Sequence, residues 1–211
     1  MDGIPYEKLN ALFQSASELF SEKKDELCEM DAKMGDGDLG LTMQKGFGAL
    51  PQLIRENMEA GNIGRTLVRA GLKMSGVVPS TMGTLMSSGL MEGGRAVGVA
   101  AELGPEELSR FLTGFAAGVQ KRGKCQLGDR TLLDAMDAAA KRADAAFADG
   151  KGVREMLEAA VAGARDGVEA TKHMIPKYGK AAVFSARAEG VADQGAVAGL
   201  YLLEGLARYF T

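Results

Sequence analysis

Apolar residues recur along this chain at the spacing of amphipathic helices, about 3.6 residues per turn. Leu9, Leu12, Phe13, Ala16, Leu19 and Phe20 make one such stripe. Leu108, Phe111, Leu112, Phe115 and Val119 make a second, behind a proline at 105 that suits a first helical turn. Val153, Met156, Leu157, Ala160, Val161 and Val168 make a third, and Val197, Leu200, Tyr201 and Leu203 begin a last one. Segments rich in Ala, Leu and Met near 41–57, 62–75, 82–99 and 131–148 fill the intervals. The pattern predicts about eight helices of ordinary length. Alternating β-branched runs are scarce, and Gly76-Val77-Val78-Pro79 is too short and proline-ended for a central strand.

Glycine-containing gaps fall at 35–40, 76–83, 123–128 and 179–195, and they carry Gly-Asp, Gly-Lys and Ser-Thr pairs. Short connections imply antiparallel neighbours. In an up-and-down arrangement, alternate connections lie at the same end. The gaps after the first, third, fifth and seventh helices are then expected to meet at one rim and build a site from four distant segments. The expected fold is an all-α, antiparallel, eight-helix up-and-down bundle, one domain over residues 1–211.

Composition narrows the function. At 46% hydrophobic residues the chain has the make-up of a globular protein. A net charge of −3 with no Lys/Arg block gives no electrostatic support for nucleic acid or an anionic membrane. No apolar run approaches the roughly 18 residues of a membrane span, and no signal peptide is read at the start. Cys28 and Cys125 have no metal-site spacing and read as free thiols of a cytoplasmic protein. The single histidine, His173, excludes a His-rich metal site; a local polar or capping role is expected for it. The methionines at helical spacing read as core filler.

Two glycine motifs are decoys. Gly35, Gly37 and Gly40 spell G-x-G-x-x-G, the dinucleotide fingerprint. That fingerprint needs a preceding strand, whereas residues 22–30 continue a charged helical pattern. Gly118 to Cys125 nearly spells a P-loop, but Cys125 stands where a metal-binding hydroxyl belongs, and it too follows a helix.

The acids between those glycines carry more. Asp31, Asp36 and Asp38 have spacing i, i+5, i+7, with Asp31 at the end of the first helix. At ~4 Å and an effective dielectric near 20, each pair of carboxylates repels by roughly 4 kcal/mol. Such a trio persists when it is solvated or when a cation compensates it. All-oxygen donors suit a hard ion, Mg²⁺ or Ca²⁺, although the EF-hand pattern is absent. A solvated acidic turn beside the next helix start fits the same residues. Mg²⁺ on carboxylates completes its shell with water and phosphates, and the helix starting near Leu41 offers free N–H groups to an anion. The glycines then serve a metal-phosphate loop.

Taken in order, the motifs resemble the nucleotide-binding L subunit of bacterial dihydroxyacetone kinase. They are Asp31…Gly35-Asp36-Gly37-Asp38-x-Gly40 with Met43, Gly83-Thr84, Arg122-Gly123-Lys124, Gly128-Asp129-Arg130-Thr131-x-x-Asp134, Ala170-Thr171, and Arg187…Gly190-x-x-Asp193-x-Gly195-Ala196. The resemblance implies an antiparallel eight-helix barrel with the nucleotide at one end. It implies two Mg²⁺ ions on Asp31, Asp36 and Asp38, bridging ADP or ATP phosphates. It further implies that Leu39, Gly40, Leu41 and Thr42 lie beside the phosphates, that Gly83 belongs to the nucleotide site, that Gly123 and Leu132 flank the nucleoside, and that Asp193 and Gly195 close the site. The activity implied is phosphoryl transfer to dihydroxyacetone held on a separate K subunit, which supplies the substrate-binding histidine and the acid/base. A phosphotransferase-system M subunit that rephosphorylates ADP, and a second copy of the chain, are the further partners considered; direct use of ATP is the other branch.

The chain departs from that family at three places. A glycine-rich lid loop is replaced by Ser75-Gly76-Val77-Val78-Pro79-Ser80-Thr81, so the Ser80 and Thr81 hydroxyls are expected to substitute for backbone amides. A usual Gly-Arg is Gly179-Lys180, which keeps the charge and loses the bidentate fork. Leu39 stands where His or Thr is usual, and Gln194 replaces a proline. Lys180 and Arg187 are expected to add positive charge near the phosphates, with Lys124 a weaker candidate. The departures bear on the acceptor sugar, and a paralogue acting on erythrulose or another triose or tetrose fits. The competing class is a nucleotide-loaded regulatory binding module.

Overall fold

The computed structural model describes residues 3–179, 182 and 189–211. Among these, nine α-helices follow one another: α1 (Leu9–Glu22), α2 (Lys24–Ala32), α3 (Leu39–Glu56), α4 (Ile63–Val77), α5 (Thr81–Val97), α6 (Pro105–Gly123), α7 (Leu132–Ala148), α8 (Val153–Thr171) and α9 (Gln194–Ala207). The only strands described are β1 (Ile4–Pro5) and β2 (Glu102–Leu103), which pair antiparallel with Ile4 opposite Leu103. The all-α class and the helix positions agree with the apolar periodicity. No helix among the described residues is long and apolar enough to cross a membrane.

The count differs from eight because the first predicted helix is bent into two. Lys23, at ψ 5°, separates α1 from α2. The hydrogen-bond ladder nearly survives there: Lys23 N–H donates to Leu19 O at 2.9 Å, and Leu27 N–H to Lys23 O at 3.0 Å. Leu27 lies one heptad after Phe20, so the apolar period runs unbroken through the bend. Tertiary contacts hold it. Glu26 accepts from the Tyr201 hydroxyl of α9 and pairs with Lys23 at 2.7 Å, while the Lys23 ammonium sits 5.1 Å from the centre of the Tyr201 ring.

Packing follows a cyclic order. α1 lies against α3, each helix from α3 to α8 lies against the next, and α9 lies against both α8 and α1. Helix α2 sits apart from this circuit and contacts α3 and α9. One continuous apolar core runs through the ring, with Phe20 stacked on Phe47 at 4.5 Å and Phe13 edge-on to Phe111 at 6.5 Å. Met43, Met74, Met86, Met136 and Met156 are buried in it, as core filler should be.

Alternate connections share an end. At one end, residues of the segments joining α2 to α3, α4 to α5, α6 to α7 and α8 to α9 line a common cavity. At the other, Ile63 N–H donates to Ala100 O and Tyr6 N–H to Ala101 O, both at 2.9 Å, which joins the α3–α4 and α5–α6 connections to the N-terminal segment.

The α9–α1 contact closes the circuit and depends on one missing side chain. A Cβ on Gly205 would lie 2.5 Å from the backbone Cα of Ala16. Gly205→Val is therefore expected to lower unfolding stability by about 1–3 kcal/mol, the usual cost of overpacking, as measured by urea denaturation. An unchanged midpoint would show that α9 does not press on α1.

Candidate metal and nucleotide site

The loop from Lys33 to Asp38 is organised by a carboxylate at the end of α2. Asp31 is buried, and its Oδ2 accepts from the Gly37 N–H at 2.9 Å and the Asp38 N–H at 3.1 Å. These bonds draw the loop back over its own origin. Gly37 holds φ +77°, a region that favours glycine. A Cβ on Gly35 would fall 2.2 Å from Asp31 Oδ1, so the loop closes there only with glycine. The result brings ligand atoms of Asp31, Asp36 and Asp38 within 4.8 Å of one another. Three hard oxygen donors at that spacing fit one divalent cation such as Mg²⁺.

Asp38 is the N-cap of α3, and Thr42 N–H makes the first intrahelical bond, to Asp38 O at 2.9 Å. The amides of Leu39, Gly40 and Leu41 thus belong to the first turn, where a helix carries partial positive charge. Metal donors and an anion-favouring helix end therefore sit side by side.

These groups line a cavity of about 520 Å³ that opens to solvent, within the size range of small-ligand sites. Its wall includes Asp31, Asp36, Asp38, Leu39, Thr42, Ser80, Thr81, Leu132, Asp193 and Gly195. Gly40, Leu41, Gly83 and Gly123 stand outside that wall. Gly40 packs α3 on α2, since a Cβ would lie 1.9 Å from Lys24 O, and Leu41 is exposed. Gly83 is pressed under Val78 O, and Gly123 lies beside Leu85, itself a wall residue. Lys180 and Arg187 lie outside the described residues. His173 is exposed and away from the wall.

The other loops are set by caps. Ser80 caps α5, its Oγ accepting from Gly83 N–H at 3.0 Å, which leaves the hydroxyl proton to donate elsewhere; Thr81 is exposed beside it. Thr131 caps α7 in a capping box. Its Oγ1 accepts from Leu133 N–H at 3.2 Å, while Asp134 accepts from Thr131 N–H at 2.7 Å and from Gly128 N–H at 2.6 Å. Asp193 caps α9, accepting from Ala196 N–H at 2.8 Å, and its own N–H donates to Thr171 Oγ1 at 2.9 Å.

Three further wall residues, Arg130, Tyr178 and Gln194, had no role at the site assigned from the sequence. Arg130 is 2% exposed and holds φ +61°, uncommon for a side chain-bearing residue. Its Nη2 donates to Val191 O at 3.0 Å, and Nε and Nη1 have no partner among the described residues. Tyr178 donates to Lys124 O at 2.7 Å, beside the Lys177–Asp129 ion pair at 2.6 Å, which holds the Asp129 carboxyl below its usual range. Gln194 Nε2 donates to Asp31 Oδ1 at 3.3 Å. Arg130 and Gln194 stand inside recognisable motifs, but neither their burial nor their partners follow from spacing.

Burial raises the pKa of Asp193 to about 6, against the opposing pull of the Ala196 amide and the Arg130 charge. The native chain then keeps a proton that the unfolded chain releases above its ordinary carboxylate pKa. Stability from this group is full below that value and is lost as pH rises to about 6, a change on the order of 3 kcal/mol. Asp193→Asn keeps a good N-cap and removes the titration. With chelator present, the variant is expected to show a flatter stability profile than the parent between about pH 4 and 6.5 in urea unfolding. Parallel profiles would refute the assignment.

Comparison with known proteins identifies the family. The DAK2 domain model matches residues 33–208. The ADP-binding subunit DhaL of PEP-dependent dihydroxyacetone kinase 2 from Listeria innocua is 29% identical over 185 residues, 87% of this chain and 85% of that one. Its Escherichia coli counterpart is 27% identical over 90% of each chain. L-erythrulose 1-kinase of Mycolicibacterium smegmatis is 26% identical over 95% of this chain, but over 35% of its own length. The crystal structure of the dihydroxyacetone kinase from C. freundii in complex with AMP-PNP and Mg²⁺ superposes with a TM-score of 0.68 at 24% identity, which speaks for the fold. This chain spans 33% of that larger one. With the family model covering most of its residues, the chain belongs to the DAK2-domain family.

Proposed function

We propose that this chain is the nucleotide- and metal-binding subunit of a phosphotransferase, a kinase for dihydroxyacetone or a related small ketose. The observation that carries this reading is the acid trio of Asp31, Asp36 and Asp38 beside the first turn of α3 in one solvent-open cavity. The acids hold Mg²⁺, and the helix end and the Ser80 and Thr81 hydroxyls receive the phosphates of ADP or ATP. Mg²⁺ supplies charge neutralisation on phosphate oxygens, which phosphoryl transfer needs more than covalent help from protein. Asp31 orients the loop, Leu132 borders the nucleoside, and Asp193 and Gly195 hold the start of α9 against the site. A second Mg²⁺ in the same loop, and Lys180 as a further phosphate contact, complete the nucleotide site.

The chain works with a partner. Relatives named as DhaL are subunits of a dihydroxyacetone kinase, and the acceptor ketose here sits on a K-type subunit that docks at the open end of the cavity. A phosphotransferase-system M subunit is the proposed source of phosphate in the branch that retains ADP. The cyclic packing of α1 and α3 to α9 supports an eight-helix barrel with α2 as an added arm. The relative named as an erythrulose kinase supports a small ketose as the acceptor class.

Calorimetry with ADP, with and without Mg²⁺, tests the reading. Asp36→Ala is expected to weaken Mg²⁺-dependent ADP binding by more than about 100-fold, beyond the range of an outer-sphere change, with the helical circular dichroism intact. Equal binding by the variant would remove the trio from the site. A coupled assay with a K-type subunit and either dihydroxyacetone or erythrulose identifies the acceptor.

A further inference from the structure

Beside the metal loop, a side-chain oxygen of the cavity wall has no hydrogen-bond donor among the described residues. Gln194 is the first residue of α9, and its carboxamide reaches the loop from the far end of the sequence. Nε2 donates to Asp31 Oδ1 at 3.3 Å. Oε1 is shielded from solvent and has no hydrogen-bond donor among the described residues. A buried acceptor left so is destabilising.

The two oxygens of Asp31 are already divided. Oδ2 takes the Gly37 and Asp38 amides, so Oδ1 is the oxygen open to a cation. That is the oxygen the Gln194 N–H touches. An N–H aimed at a cation's donor competes with the cation. A carboxamide, however, exchanges its two ends by a half-turn about its last side-chain torsion, which is soft and nearly two-fold. The half-turn puts Oε1 where Nε2 stood, 3.3 Å from Asp31 Oδ1. Neighbouring oxygens on one ion lie roughly 3 Å apart at the ~2.1 Å bond length of Mg²⁺, and roughly 3.4 Å apart at the ~2.4 Å of Ca²⁺. Two oxygens at this separation repel in an ion-free loop and are ordinary ligand neighbours in a filled one.

We propose that Gln194 is a fourth oxygen donor of the divalent-cation site, turning its amide N–H to Asp31 in the ion-free loop and its C=O to the ion in the filled one. This rests on the metal reading of the acid trio. The turn gives Oε1 a partner, takes the competing N–H away from Asp31, and moves the amide N–H groups to the place Oε1 held. It also ties cation occupancy to the start of α9, and so to Asp193 and the nearby cavity wall. A carboxamide adds an oxygen without a charge. It therefore raises cation affinity without adding to the repulsion among the three acids.

Titration of Mg²⁺ and Cd²⁺ into the full chain by calorimetry, with and without saturating ADP, tests this. Gln194→Met matches the length, removes the donor and places a soft thioether at the ion. It is expected to weaken Mg²⁺ binding about ten-fold and to raise the Cd²⁺ over Mg²⁺ preference at least ten-fold. If Gln194 only positions Asp31 through its N–H, both ions weaken alike and the ratio stays put, which overturns the proposal. Gln194→Glu, the second variant, is expected to bind Mg²⁺ at least as tightly as the parent; weaker binding overturns the proposal. A parent chain that takes neither ion under either condition refutes the metal reading itself. A parent that binds while the Met variant keeps the parental ratio refutes only the role of Gln194.

Discussion

Mutual repulsion of three carboxylates is the constraint around which this end of the molecule is built. Asp31, Asp36 and Asp38 are drawn together although like charges at that range repel. The force that gathers them is local. Asp31 accepts two amides from its own loop, and glycines at 35 and 37 let the backbone turn tightly enough to deliver them. A divalent cation converts the same crowding from a cost into a coordination sphere. The neighbouring helix start then extends the attraction to a phosphate, so one short segment handles both signs of charge.

The bundle supplies what a loop cannot. Because helices run back and forth, every second connection returns to the same end, and four stretches far apart in sequence come to share one cavity. Three of them are pinned by a cap whose side chain accepts from backbone amides, Ser80 on α5, Thr131 with Asp134 on α7 and Asp193 on α9, and the fourth is held by Asp31. The caps are structural, and they also fix where the wall residues point. Asp31 joins the two levels, since Gln194 meets it across 163 residues.

Within the wall, buried polar groups hold the segments together under some strain. Arg130 takes a left-handed backbone conformation and sends one guanidinium nitrogen to Val191 O, bridging the α6–α7 connection to the segment before α9. Asp193 is buried close to that positive charge, and desolvation still lifts its pKa. Such arrangements survive only where surrounding packing over-determines them, and they tend to collect at functional sites.

Helix positions, the all-α class and the acid trio were legible in the sequence because each is local. Apolar period, glycine punctuation and the spacing of Asp31, Asp36 and Asp38 are properties of neighbouring residues. The bend at Lys23 was not legible, because Phe20 and Leu27 keep the heptad phase while Tyr201, far along the chain, holds Glu26 at the bend. Nor could spacing show that Gly40 serves the α2–α3 contact, or that Arg130 and Gln194 are wall residues. Those facts depend on which helices pack together. Sequence by itself determined where helices run and which loop gathers negative charge, since those are short-range matters of sterics and polarity. Only the tertiary structure decided which remote side chains face that loop, because their partners are chosen by packing across the ring.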